Sequence, residues 1–460
     1  MGYGGRHPRG DARAGPYRDA EAMDTLDLAR LQFALTAGTH FLFVALTLGL
    51  ATLIAVVQTR ATLTRSAVHE RMTRFWGRLY VINYVMGIVT GLVMEFQLGM
   101  AWNGLSHFSG NVFGAALAME TLVAFFVEST FLGLWIFGWG RLNRWAHLAV
   151  FWVVTLTAYA SAYWVLVANG FMQNPVGAEL SGGTLRLTDA AAVLANPAAL
   201  TAFGHVLAAS LVAAGFFLAG VSAHHLRRRT AEQEFFRRSL RIGVFTGLPG
   251  LAAVLAFGEL SFSTVQPMKW AVFEGDAAEI ERLRAEAAAA YEAVRESVGG
   301  AAGLVDHVPP ALPVQAGGIV MLGLFGVMAL VSLVSVPLAL SSRAVRGLRA
   351  WHVLLTAAVP LPFAAVLGGW VLREAGRQPW AVQGLLTTEE ALSDLPPGLL
   401  RFSLAAFTVL FAVLVAVNVW MLARAARRGP DPADGPADGA PDLPSGSSAA
   451  RDEPIPAAVF

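Results

Sequence analysis

Nine runs of apolar residues punctuate this chain of 460 residues, near 31–58, 79–98, 112–139, 147–168, 201–223, 242–260, 314–340, 353–372 and 402–422. Their lengths suit the ~20 residues that a helix needs to cross a hydrocarbon core. Inside that core every backbone N–H and C=O must be paired within the segment, so the runs read as helices. The expected fold is all-α, a polytopic membrane helix bundle with nine transmembrane helices. Hydrophobic residues make up 55% of the chain and charged residues 14%, too apolar for one buried core beneath a charged surface.

The direction of insertion follows from the arginines. The connection 59–78 carries Arg60, Arg65, Arg71, Arg74 and Arg78, and 224–241 carries Arg227, Arg228, Arg229, Arg237, Arg238 and Arg241. Arg141 and Arg144, then Arg343, Arg346 and Arg349, and finally Arg424, Arg427 and Arg428 continue the series on the same side. The alternate loops are poorer in arginine for their length, and 99–111 has none. The positive-inside rule therefore predicts an outside N-terminus and a cytoplasmic C-terminus. Residues 1–22, rich in Arg, Gly and Pro, are expected to be a disordered extension, and 426–460 a disordered cytoplasmic tail. Between them lie helices one to six (23–260), an outer segment (261–313) and helices seven to nine (314–425). Within the outer segment, Asp276–Val298 is helical by propensity.

Lys plus Arg is 33 against Asp plus Glu 32, a formal charge of +1, so no cationic excess exists to hold a nucleic acid. Cysteine is absent, which leaves His, Met and carboxylates as the side chains able to hold a metal. Ionisable residues inside a membrane are costly and mark function by default. His40 and His205 are the histidines inside apolar runs, and Glu95, Glu120, Glu128 and Glu259 are the carboxylates there, with Glu374 just past the outer end of the eighth run. For each, the competing reading is a satisfied packing or helix-bridging residue. Glu120 and Glu128 are eight residues apart, about 12 Å along one helix, which suits a path better than a shared dyad. His40, Glu120, His205 and Glu374 all fall toward the outer side, with Met321 at a matching depth in the seventh run. That clustering suits a porphyrin held by His, Met or Glu. Lys269 is the chain's single lysine, and Glu274 follows it five residues on in "QPMKWAVFEG". Such a pair could take the proton and hold the oxygen of a lipophilic quinol, or be a solvated loop pair.

Over 23–425 the sequence resembles subunit I of the cytochrome bd-type quinol oxidases, in its short-loop branch. The resemblance rests on "LDLARLQFALTAGTHFLF" around His40, "GLVMEFQLG" around Glu95, "GAALAMETLVAFFVESTFLGLWIFGW" around Glu120 and Glu128, "VANGFMQNP", "QPMKWAVFE" and "GWVLREAGRQPW" around Glu374. It implies a multi-pass protein of a bacterial cell membrane that oxidises quinol at the outer face and reduces dioxygen to water with cytoplasmic protons. It implies a low-spin haem b on His205 and Met321, and high-spin haems of b and d type near His40, Glu120 and Glu374. Arg377 would hold a haem propionate, Lys269 and Glu274 would serve quinol, and Glu128 with Ser129 would pass protons. The implied partners are a polytopic subunit II and the membrane quinone pool, with small accessory membrane subunits an open addition. The alternative is a non-oxidase paralogue, a b-haem quinol electron-transfer or sensing protein. One departure stands out: where the family has an arginine two residues before the span-seven methionine, this chain has Ile319, which predicts a lower potential for the low-spin haem.

Overall fold

The computed structural model describes residues 16–265, 267–297 and 305–431. In chain order its first half comprises α1 (Pro16–Thr64), α2 (Ala67–Ala101), α3 (Asn103–Met119), a π-helical turn (Glu120–Phe125), α4 (Phe126–Phe137), α5 (Arg144–Gln173), the hairpin β1 (Ala178–Ser181) and β2 (Thr184–Leu187), α6 (Ala190–Leu194) and α7 (Pro197–Arg228). The second half comprises α8 (Gln233–Val265), α9 (Pro267–Glu274), α10 (Ala277–Ser297), α11 (Ala311–Leu340), α12 (Ser342–Gly347), α13 (Arg349–Ala357), α14 (Leu361–Ala375), β3 (Trp380–Val382), β4 (Leu386–Thr387), α15 (Thr388–Ala391) and α16 (Pro397–Arg428). Among the described residues nine helical spans are long and apolar enough to cross a membrane, one for each apolar run.

Among the described residues the third and eighth spans are interrupted within their apolar runs. The third passes through the π turn at Glu120–Phe125 between α3 and α4. The eighth is interrupted at Ala358–Pro360, where α13 gives way to α14. Pro360 and Pro362 there lack the N–H groups an unbroken helix would use. No break was expected from the hydropathy of 353–372, because hydropathy does not register helix continuity.

The ends also differ from the sequence reading. Helix α1 begins at Pro16, so 16–22 is helical and not disordered. A proline in the first turn, followed by Asp19 and Glu21, suits a helix N-terminus. Residues 1–15 lie outside the described residues. At the other end α16 runs through Arg428, which corrects 426–428 from tail to helix. His225 of α7 donates from Nε2 to the Ala426 carbonyl at 2.7 Å and so holds that last turn in place. Residues 432–460 are outside the description. The segment expected to be helical by propensity is α10.

Helices α1 and α7 are the most enclosed spans and α16 is the least. Where α7 meets α8 the backbones touch: a Cβ on Gly243 would lie 2.4 Å from the Gly215 carbonyl, so only glycine permits this approach. Among the described residues two large apolar clusters fill the bundle, beside a small third one of Val272, Val314 and Leu372. One, around Trp76, Tyr80, Phe151, Phe217 and Phe235, occupies the arginine-rich half. The other, around Phe113, Phe171, Leu185 and Val382, lies at the opposite end, where the β1–β2 hairpin and the 376–396 loop sit. The hairpin turns on Gly182 and Gly183, both at positive φ.

Candidate functional site

Both clusters border one cavity of about 490 Å³. Its wall collects His40 from α1, Glu95 from α2, Glu120 and Glu128 from the third span, Asn169 from α5, His205 from α7, Met321 from α11, and Arg373 and Glu374 from α14. Residues that the sequence suggested separately, from 40 to 374, are thus brought to one space. Lys269, Glu274, Arg377 and Ile319 are not part of its wall. Ile319 is 64% exposed on the outer surface of α11. Two residues from Met321 is about 200° around a helix, which turns position 319 away from the cavity.

The two imidazoles share one arrangement. The Thr90 hydroxyl donates to the Met86 carbonyl at 2.9 Å, so it accepts from His40 Nδ1 at 3.0 Å. His205 Nδ1 can only donate to the Val254 carbonyl, at 3.1 Å. Each ring therefore carries its proton on Nδ1 and keeps the Nε2 lone pair free, the tautomer that ligates a metal. Glycines flank these side chains. A Cβ on Gly91 would stand 3.1 Å from His40 Cε1, one on Gly258 3.4 Å from His205 Cε1, and one on Gly369 2.9 Å from Met321 Sδ. Larger residues at the tightest two would push the ring or the sulfur from its place.

Glu120 opens the π turn, a distortion frequent at functional sites. Ser161 donates to Glu120 Oε1 at 2.6 Å, and Thr121 lies 3.1 Å from Oε2 and 2.8 Å from Glu95 Oε1. One hydroxyl thereby bridges two carboxyl groups from α2 and the third span. Glu128, almost fully buried, lies beside Tyr80. Tyr80 stacks on Tyr84, which reaches toward Ser129. Two polar groups thus stand at this wall, one of Glu128, Tyr80, Tyr84 and Ser129 and one of Glu120, Ser161, Thr121 and Glu95.

At the end away from the arginine-rich loops, α5, α9 and α14 enclose a basic cluster. Asn169 Nδ2 donates to Glu374 Oε1 at 3.0 Å and Arg377 Nη2 to Oε2 at 2.7 Å, while Arg373 Nε donates to Asn169 Oδ1 at 2.9 Å. Arg377 Nη1 is taken up by the carbonyls of Trp380 and Ala381. Lys269 is 3% exposed, donates to Gln173 Oε1 at 2.5 Å, and lays its stem across Gly376, where a Cβ would be 2.6 Å from Lys269 Cγ. Burial pushes this ammonium well below the lysine range, Arg373 and Arg377 push the same way, and Glu374 opposes them. Glu274 is exposed. Lys269 and Glu274 make no contact with each other, five residues on a helix being about 140° apart around the axis, and the burial of Lys269 sets aside the reading of a solvated loop charge pair. The two neighbouring arginines differ in what they leave free. Arg377 has only Nε unpartnered, whereas Arg373 lines the cavity with a buried, unpartnered Nη2.

Thr90, Ser161, Asn169, Gln173 and Arg373 were absent from the sequence candidates. Arg373 carried a signal as a charge at the edge of an apolar run next to Glu374, and Asn169 and Gln173 lie within the stretch "VANGFMQNP"; Thr90 and Ser161 are polar residues of a kind common in membrane helices.

Among the described residues no three His, Cys, Asp or Glu side chains converge as a bare metal ion would need. Single imidazoles with free Nε2 atoms, a thioether on the wall of the same cavity and unpartnered guanidinium nitrogens fit instead a macrocycle that brings its own equatorial nitrogens and carries acidic side groups. Fold and cavity together define a polytopic membrane protein built to hold haem. The profile described as cytochrome bd terminal oxidase subunit I matches residues 28–430. Cytochrome bd ubiquinol oxidase subunit 1 of Bacillus subtilis (strain 168) is 36% identical, the alignment covering 88% of this chain and 94% of that one. Cytochrome bd-II ubiquinol oxidase subunit 1 of Escherichia coli (strain K12) is 32% identical over 88% and 97%. The bd oxidase structure from Geobacillus thermodenitrificans superposes with a TM-score of 0.75 at 26% identity, covering 88% of this chain and 99% of that one. The chain belongs to the cytochrome bd terminal oxidase subunit I family. It is a multi-pass bacterial membrane protein and a quinol oxidase subunit of the respiratory chain, with haem cofactors and a subunit II partner.

Proposed function

We propose that His205 and Met321 hold a low-spin haem b, and that His40 and Glu374 hold the two high-spin haems, of b and d type, at which dioxygen is reduced to water. Bound haem supplies the one-electron transfers and the oxygen chemistry. The chain's own residues supply the rest. Thr90 and the Val254 carbonyl hold the imidazoles in the ligating tautomer. Asn169 and Arg377 fix the Glu374 carboxylate, whose remaining lone pairs stay available. Arg373, with the Arg377 Nε, holds propionates.

Glu128, Ser129, Thr121 and Glu120 move protons toward the cavity from the arginine-rich face, which the positive-inside rule places in the cytoplasm with the N-terminus outside. Quinol is oxidised at the opposite face. There Glu274, exposed on α9, takes the hydroxyl proton, while Lys269 anchors α9 through Gln173. Electrons drawn outside and protons drawn inside separate charge without a pump. The quinone pool is the electron source.

The observation that carries this reading is the shared state of His40 and His205, each with Nδ1 engaged and Nε2 free at one cavity wall. The test is a reduced-minus-oxidised spectrum of the purified oxidase with oxygen consumption, repeated for His205→Ala. The variant should insert, lose the low-spin b bands and stop consuming oxygen from quinol. Intact low-spin bands in the inserted variant would remove His205 from the ligand set.

A further inference from the structure

At the arginine-rich face the charged side chains fall into two groups. Those on α2 and α8 are paired: Arg71 with Glu232 at 2.8 Å, Arg74 with Glu70 at 2.9 Å, and Arg238 with Glu234 at 2.8 Å. Those where α7 ends and α13 begins are not. Arg227, Arg228 and Arg349 line one pocket of about 410 Å³ together with Ala350 and Val353, and among the described residues none of the three makes an ion pair. The field there is cationic from a further side, since the charges acting on neighbouring His224 are those of His225, Arg228, Arg227 and Arg427.

The backbone adds to this. Leu348, the N-cap of α13, offers no side-chain bond, so first-turn N–H groups, that of Ala350 among them, have no intrahelical partner. Three guanidinium forks and a helix N-terminus suit a phosphate with two free oxygens. The rim decides where that phosphate comes from. Leu348, Val353 and Leu354 are exposed apolar side chains beside the arginines, at the end of two membrane-length spans. A soluble phosphate gains nothing from them, whereas acyl chains pack on them while the headgroup meets the arginines.

We propose that Arg227, Arg228 and Arg349 form a binding site for the phosphate of an anionic phospholipid, seated between the C-terminus of α7 and the N-terminus of α13. Because α13 continues into the α14 segment that bears Arg373 and Glu374, the lipid clamps the arginine end of the span that carries them.

The test uses the purified oxidase with its partner subunit in detergent, with bound lipid counted by native mass spectrometry against added dioleoylphosphatidylglycerol, dioleoylphosphatidylcholine or inorganic phosphate. The site predicts preferential retention of phosphatidylglycerol. Binding should fall roughly fivefold for each arginine changed to glutamine and about a hundredfold for Arg227→Gln/Arg228→Gln/Arg349→Gln together. Arg343→Gln/Arg346→Gln, on the same face but outside the pocket, should leave it unchanged. Equal retention by the triple variant and the parent would overturn the site. Displacement of the lipid by millimolar phosphate would overturn the lipid assignment in favour of a soluble anion. Removal of 432–460, with its Asp434, Asp438 and Asp442, should change nothing; lipid binding that emerges only after this truncation would mean that the tail fills the pocket, and would also overturn the proposal.

Discussion

Thr90→Val separates a ligand from its support. Thr90 is fully buried, and its hydroxyl accepts the His40 Nδ1 proton while donating to Met86. Valine keeps the shape and removes the hydroxyl. The Met86 carbonyl retains its place in the helical ladder, so the loss falls on His40 alone. An unsatisfied buried N–H costs about 1–3 kcal/mol. The ring can relieve that cost by moving its proton to Nε2, and an imidazole protonated there has no lone pair for iron. Loss of such an outer-shell partner weakens metal binding about 10–100-fold, or ~1.4–2.7 kcal/mol, the same size as the hydrogen-bond penalty. We expect Thr90→Val to lose one high-spin haem to apomyoglobin much faster than the parent, and Thr90→Ser to hold it. The low-spin bands should not change in either, because the His205 partner is the Val254 carbonyl and no side-chain substitution removes it. Haem stoichiometry and challenge kinetics give the answer: a Thr90→Val protein that keeps all its haem at the parent rate would show that the Nδ1 bond does not set the ligand state of His40.

Three further outcomes follow from particular contacts. Met321→Leu should convert the low-spin haem to high spin with the protein inserted, since leucine cannot coordinate iron; a low-spin spectrum would point to another ligand. Ile319→Arg should leave the midpoint potential of the low-spin haem unchanged, because position 319 faces out of α11, and a redox titration showing a rise of tens of millivolts would restore the electrostatic role its place in the sequence suggested. His307 stacks on Trp380 and meets Tyr291 of α10, and burial holds its pKa below the ordinary value, with Arg284 adding to the effect and Asp306 and Glu292 opposing it. A folded-state pKa below the unfolded one means that the neutral ring's contribution is present above pH 6.5 and is lost as pH falls through the folded value. Hydrogen-exchange protection factors in α10, corrected for the intrinsic exchange rate at each pH, should therefore fall from pH 7.5 to 5 in the parent and not in His307→Phe, and equal acid sensitivity of the two would exclude His307 as the cause.

The number and order of the spans were legible from hydropathy, because lipid leaves a backbone of this length one way to satisfy itself. The order of His40, Glu120, His205 and Met321 along their helices could be counted as well, since rise along a helix is linear in residue number. What a linear count does not contain is azimuth, and azimuth sorted the candidates. It put Met321 on the cavity and Ile319 on the outer surface, and parted Lys269 from Glu274 on a single short helix. The π turn at Glu120 and the break at Pro360 belong to the same class, local changes of helical phase that hydropathy does not register.

The supporting residues were beyond reach of the sequence for a second reason. Thr90 acts on a histidine 50 positions away and Asn169 on a glutamate 205 positions away. A threonine or asparagine in a membrane helix is unremarkable until its partner is known. The chain alone therefore determined which residues are costly to bury and in what order they lie along their helices. The packing of α1, α5, α7 and α14 against one another decided which of those costs are met by a neighbour's hydrogen bond and which remain, as at Arg373, for a bound group to meet.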